Sequence, residues 1–183
     1  MRRRFGAEVT WLPFDLHPEY PPDGIPRAQL HARYGERFHR GVEDRFAAAG
    51  LAYNPPPEVV PNSRASLRVT ELARDKGLHE QVHDRLMDAY WTEAQNIGDG
   101  ETLRAIVVEA GLEAGAVDEV LTGDAFLDRV AASTEQAASI GITGIPGWVL
   151  DSRLLILGAQ PAQVFDQAFE RLGIEPLPGP TSQ

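Results

Sequence analysis

From residue 62 to residue 139, apolar side chains recur at spacings of three and four, the period of a helix with one buried face. Asn62 or Ser63 is expected to cap a first helix bearing Leu67, Val69, Leu72 and Ala73, which stops at Gly77. A second, from Leu78 to Asn96, places Leu78, Val82, Leu86, Ala89 and Tyr90 on one stripe. Asp99 caps a third with Leu103, Ile106, Val107 and Ala110, closed by Gly111. A short helix holds Val117, Val120 and Leu121, and a longer one after Asp124 uses Phe126, Leu127, Val130, Thr134, Ala137 and Ala138.

The ends of the chain read differently. Arg2, Arg3 and Arg4 followed by Phe5 and Gly6 predict the last turn of a helix, with cations at the negative end of the dipole and glycine just beyond. Residues 7–14 alternate with a period of two and predict a strand, Val9 and Trp11 on one face and Pro13 at its end or edge. The run from His17 to Pro26 is too rich in proline for regular structure. Pro26 then suits the first position of a helix carrying Leu30, Tyr34 and Phe38 to about Arg40, weakened at Gly35. Another helical turn is expected around Phe46, with a stop at Pro55, Pro56 and Pro57. After Gly141 two short apolar runs, 147–150 and 154–157, flank Asp151-Ser152-Arg153 and predict a hairpin. A last helix starts at Pro161, buries Val164, Phe165, Ala168, Phe169 and Leu172 and stops at Gly173, and the tail from Glu175 is expected to fray. The order of elements is that of a mixed α/β chain with a helical block in its middle.

Composition narrows the function. The 183 residues are 43% hydrophobic, enough for one sizeable core or for a core with an inserted subdomain. A formal charge of -10 repels phosphate backbones and anionic lipid, so neither nucleic acid nor a membrane surface is an expected partner. No run approaches the roughly 20 apolar residues of a membrane span, and no apolar stretch follows MRRRFGAEV before Pro13 and Asp15, which reads as cytoplasmic. The chain contains no cysteine, so it has no disulfide and no thiolate of its own.

Few residues offer chemistry. In Thr143-Gly144-Ile145-Pro146 a proline opens the first hairpin strand, a position where a cis peptide bond is often stored; such a bond turns the Ile145 backbone outward, free to pair with an extended peptide or a thiol-bearing tripeptide. An ordinary trans proline is the competing reading. His79-Glu80-Gln81-Val82-His83 matches H-E-x-x-H, in which two imidazoles on one helix face bind zinc and the glutamate acts as base. Only Glu101 and Glu109 are nearby candidates for a third ligand, and Val82 belongs to the core stripe, so the polar shoulder of a packed helix is the favoured reading and no metal is assigned. His17, His31 and His39 are scattered, and the pairs Glu43–Asp44 and Asp118–Glu119 point different ways on a helix. With no Gly-rich dinucleotide or phosphate motif, no cofactor is expected. Tyr90, Trp91 and Trp148 are candidates to line a groove, although a large aromatic is more often core than ligand contact.

The segment SIGITGIPGWVLDSRLLILGAQPAQVFDQAFERL, residues 139–172, resembles the C-terminal part of the DsbA family of thioredoxin-fold proteins. There a Gly-Val-Pro-like tripeptide carries the cis-proline, a hairpin follows, and Gly-Ala-Gln precedes the last helix. WLPFDLHPEYPPDGIP and NSRASLRVTELARDKG resemble the corresponding strand and the start of the helical insertion in the FrnE-like branch. The resemblance implies a thioredoxin-like fold in which residues 1–61 and 140–175 form the thioredoxin-like parts, 62–139 the helical insertion and 176–183 a tail. It also implies a thiol-disulfide oxidoreductase or disulfide isomerase acting on protein or peptide thiols, with Ile145, Pro146 and Trp148 facing substrate. The family's Cys-x-x-Cys at the start of the first helix has no counterpart here, so dithiol exchange by this chain is not expected. On this reading the first strand, the cysteine turn and most of the first helix fall ahead of Met1, leaving the sheet incomplete; a start codon placed too far downstream, a degenerate paralogue and a fold completed by another chain's strand remain open. Two alternatives use the same scaffold. Kappa-class glutathione transferases and 2-hydroxychromene-2-carboxylate isomerases carry Gly-x-Asp-Arg where this chain has Gly158-Ala159-Gln160-Pro161, and a non-catalytic peptide binder needs no sulfur at all.

Overall fold

The helical block forms because its apolar stripes close on one another. The computed structural model describes residues 1–34, 37–54 and 57–178. Within it α4 (Arg64–Asp75), α5 (His79–Trp91), α6 (Gly100–Glu109) and α7 (Ala114–Thr122) surround a core in which Val69, Val82, Leu103, Val107 and Val117 are wholly buried. Helix α8 (Leu127–Ser139) packs on α4 and leads out of the block.

The caps follow the sequence with two refinements. Asn62 rather than Ser63 holds the start of α4: its carbonyl oxygen accepts from Arg64 N–H at 2.9 Å while its amide donates to the Tyr20 carbonyl at 2.8 Å. Asp99 caps α6 as expected, accepting from Thr102 N–H at 2.9 Å, and Glu113 does the same for α7, accepting from Gly115 and Ala116 at 2.9 and 2.7 Å. Helix α5 ends at Trp91 rather than Asn96, because Ala94 takes a φ of 55° and Gln95 N–H folds back on Ala89.

One buried cation ties this block together. Arg68 on α4 donates from Nε to the Ala125 carbonyl at 2.7 Å and from Nη2 to the carbonyls of Val120 and Gly123, the groups left unpaired where α7 ends. Burial pulls its pKa down from the usual arginine value.

A second core lies at the other end. Strands β3 (Gly147–Leu150) and β4 (Leu154–Leu157) form the predicted hairpin around Asp151-Ser152-Arg153, with Asp151 and Ser152 both at positive φ. Leu150 and Ile156 pack with Phe169 of α9 (Ala162–Arg171), and Phe5 of α1 (Arg2–Phe5) stacks on Phe169 at 4.2 Å. Gly6, at φ 65°, closes α1 as the arginine run predicts. The tail does not fray at once: Leu177 N–H donates to the Arg4 carbonyl at 2.7 Å, and residues 179–183 lie outside the described set.

The N-terminal region departs further from expectation. Ile25 and Pro26, placed by sequence in an irregular run, form β1 (Ile25–Pro26) against β2 (Val59–Val60). Gly24 permits this approach at φ 79°, since a Cβ there would sit 2.4 Å from the Val60 carbonyl oxygen. Helix α2 (Arg27–Tyr34) thus starts one residue later than predicted, and α3 (Arg37–Ala48) extends past both Arg40 and Phe46. Gly35, Pro55 and Pro56 fall outside the described residues.

Residues 7–14 are not a paired strand. Ala7 and Val9 are half-buried and Pro13 buried while Glu8, Thr10 and Leu12 are exposed, but Trp11, expected on the face of Val9, is 39% exposed and interrupts the alternation, and no β-ladder forms on this segment among the described residues. The backbone is satisfied by side chains instead: the carbonyls of Val9, Trp11 and Pro13 accept from Arg2, Arg74 and Ser133, and Asp15 N–H donates to Thr134 at 2.9 Å. All four acceptors and donors have odd numbers, so one edge of the segment is held by α1, α4 and α8, and Thr10 and Leu12 on the other edge make no hydrogen bond among the described residues.

Candidate functional site: an open strand edge beside a row of rings

The peptide bond between Ile145 and Pro146 is cis, and the Pro146 carbonyl accepts from Gly158 N–H at 2.8 Å. That hydrogen bond, with the register of the two strands, sets the alternation of the hairpin. In an antiparallel ladder hydrogen-bonded and non-bonded pairs alternate, so Trp148–Ile156 and Leu150–Leu154 are bonded pairs while Gly147–Leu157 and Val149–Leu155 are not. The N–H and C=O groups of Gly147 and Val149 therefore point away from β4, as do those of Ile145, for which no hydrogen bond is formed among the described residues. Three successive outward-facing backbone positions make an open edge.

Its side chains are apolar and uncovered. Ile145 is 60% exposed and Val149 50%, and Leu155 and Leu157 on β4 share that exposed face. No charge lies along β3 itself; Asp151 and Arg153 pair at the hairpin tip, 3.5 Å apart. Gly147 is required where it stands, because a Cβ there would meet Ile142 at 2.8 Å.

Trp148 faces the opposite side and begins a row of rings. It meets Phe165 edge-on at 5.5 Å and Trp11 at 5.4 Å; Trp11 stacks on His83 at 5.3 Å, and His83 on His79 at 5.9 Å. The Trp148 indole N–H is buried with no partner among the described residues. Trp11, which sequence periodicity placed only on a strand face, thus joins the hairpin to α5. Tyr90 and Trp91 do not join this row: Trp91 packs with Phe46 and Tyr53 at 5.4 and 6.2 Å, and Tyr90, its phenol pushed up to about 12 by burial, meets Trp91 at 4.8 Å. The groove expected from Tyr90, Trp91 and Trp148 together is not formed.

The H-E-x-x-H residues are each engaged elsewhere. His79 faces Arg74 at 3.0 Å, Glu80 pairs with Arg2, and His83 lies under Trp11 with Asp84 at 3.3 Å. Glu109 pairs with Arg85 at 3.4 Å, and no three His, Cys, Asp or Glu residues are grouped to hold a metal among the described residues. Burial first, and then the Arg74 and His83 charges, lower the His79 pKa below the ordinary histidine value. Beneath this row lies a cavity of about 130 Å³ lined by Trp11, Leu12, Leu67, His79, Leu86 and Met87. His17 pairs with Glu19 at 3.1 Å and stacks on Tyr20, while the side chains of His31 and His39 lie outside the described set. Among the described residues no helix is long and apolar enough to cross a membrane.

Comparison with known proteins places the chain in a family. A family model described as a DSBA-like thioredoxin domain matches residues 1–170. A probable DsbA oxidoreductase from Streptomyces coelicolor superposes with a TM-score of 0.83 at 33% identity, over 97% of this chain and 80% of that one. An uncharacterized protein of Bacillus subtilis (strain 168), YwbO, is 25% identical over 165 residues, 88% of this chain and 80% of its own length.

Proposed function

The chain belongs to the DSBA-like thioredoxin family, and from that premise we propose that it binds extended segments of thiol- or disulfide-bearing proteins along the Ile145–Val149 edge. Pairing is through the main chain. Ile145 and Val149 donate their N–H groups to the carbonyls of an incoming strand and accept its N–H groups on their own carbonyls, while Ile145 and Val149 side chains form its apolar floor. The observation that carries this reading is the run of outward-facing, unpaired backbone at Ile145, Gly147 and Val149 directly beside the cis proline.

Sulfur chemistry is not part of it. With no cysteine there is no thiolate to attack a disulfide, so residues of this chain contribute binding and orientation and not electron transfer. Glutathione, a thiol-bearing tripeptide, is the smallest ligand of the same chemistry.

Amide NMR of the ¹⁵N-labelled chain, titrated with a short valine-threonine peptide holding a central S-methylcysteine and separately with glutathione, tests this. Shifts confined to Ile145, Gly147 and Val149, with Trp148 and Leu150 unmoved in their ladder, are expected. No response at about 1 mM peptide, equivalent to binding weaker than about 4 kcal/mol, would defeat the proposal.

A further inference from the structure

We propose that Arg74 and His79 form a proton-controlled clamp that positions Trp11 against Trp148, closed while His79 is neutral and released when it is protonated. The hydrogen bonds themselves assign the protons. A guanidinium has donors only, so Arg74 Nη2 donates to His79 Nε2 across 3.0 Å, and Nε2 must be the bare nitrogen of the ring. The other hydrogen of that same Nη2 goes to the Trp11 carbonyl, and Arg74 Nε donates to both carboxylate oxygens of Glu71 at 3.1 and 3.2 Å. One side chain on α4 thereby fixes α5, through His79, and the segment carrying Trp11.

Protonating His79 breaks this arrangement by simple geometry. Nε2 gains an N–H that points at another N–H, and a second cation lies against the guanidinium. The charged neighbours on every side are few. Glu71 and Arg74 face His79 from α4; Arg129 of α8 reaches Glu71 at 3.5 Å; His83 and Asp84 lie on α5 itself; Glu80 is taken by Arg2 of α1. Glu71 and Asp84 favour the proton, but Glu71 is already shared between two guanidinium groups, and burial with Arg74 and His83 opposes it more strongly. The clamp is therefore closed at neutral pH and opens in acid, below the ordinary histidine range of about 6.5. Arg74 is a positioning residue: among the described contacts it touches the open strand edge only through Trp11 and Trp148.

The test is a titration of the whole chain from about pH 7.5 to about pH 5, following the indole N–H resonances of Trp11 and Trp148 and the His79 ring protons. All three are expected to move with one midpoint. His79→Gln, whose amide oxygen still accepts from Arg74, should hold both indoles at their neutral-pH positions throughout, whereas His83→Gln should leave the transition in place. Arg74→Lys, too short to serve both partners, should keep them at the acid positions at every pH. An indole transition that survives His79→Gln or disappears with His83→Gln would overturn the clamp, as would loss of helical circular dichroism over the same range, which marks unfolding.

Peptide affinity supplies a separate arm, because control of binding rests on the reading of the strand edge given above. With the clamp open, affinity for the S-methylcysteine peptide should fall several-fold in wild type and stay level in His79→Gln. Indoles that follow His79 without peptide binding at either pH would sink the peptide reading and leave the clamp standing.

Discussion

Proline scanning of the hairpin separates the two edges of β3, because proline removes one backbone donor and little else. At Val149 the N–H points away from β4, and the side chain is half exposed, so Val149→Pro deletes no ladder bond and little buried surface. Its cost to stability should be about 1 kcal/mol or less, mostly from fixing φ. At Ile156 the N–H belongs to the bonded pair with Trp148 and the side chain is 8% exposed in the second core. Ile156→Pro therefore loses a ladder bond, strains the strand and empties part of the core, together about 3 kcal/mol or more. Urea unfolding followed by circular dichroism gives the two midpoints, and fluorescence anisotropy of the labelled peptide gives affinity on the folded Val149→Pro protein. One lost hydrogen bond of about 1 kcal/mol, with a ring in the path of the incoming strand, should weaken binding about tenfold. Equal destabilisation by the two substitutions would show that the ladder alternation is wrong. Unchanged peptide affinity in Val149→Pro would show that the strand edge is not where the peptide sits.

Three further outcomes are expected. Arg68→Ala leaves the Val120, Gly123 and Ala125 carbonyls without their donor and should cost about 2–4 kcal/mol in urea, with Arg68→Lys intermediate because one ammonium cannot span three carbonyls. Gly147→Ala drives a methyl into Ile142 at 2.8 Å and should lower stability by about 1–3 kcal/mol while leaving the helical block's amide exchange unchanged. The Asp99 and Glu113 caps have pKa values lowered by the backbone and side-chain groups they bind, so their stabilisation is complete above the unfolded carboxylate values and is lost as pH falls through the folded ones; the melting temperature should drop below about pH 4, less steeply in Asp99→Asn.

Much of the architecture was legible because helices report locally. The stripes of Val69, Val82, Leu103 and Val117 recur at the helical period whatever they pack against, and Asp99 caps its own helix through the N–H of Thr102, three residues on. The hairpin was readable for the same reason, its turn residues lying between two apolar runs. Ile145 and Pro146 stood out as a proline at the mouth of a strand, and the family resemblance led to the same residues.

What failed was everything that depends on a distant partner. Residues 7–14 have the alternation of a strand, yet strand is a statement about pairing, and here Arg74 and Ser133 take the carbonyls that a neighbouring strand would. Ile25–Pro26 pairs with Val59–Val60 across more than thirty residues, which no local rule anticipates. Trp91 left the expected groove for Phe46 and Tyr53, and Trp11 took its place beside Trp148. By itself the sequence determined the helices, the hairpin and the absence of any cysteine, since each is a property of residue type and local spacing. Which backbone edge stays open, and which cation holds Trp11 in place, was decided only in three dimensions, where hydrogen-bond partners are chosen by proximity and not by order along the chain.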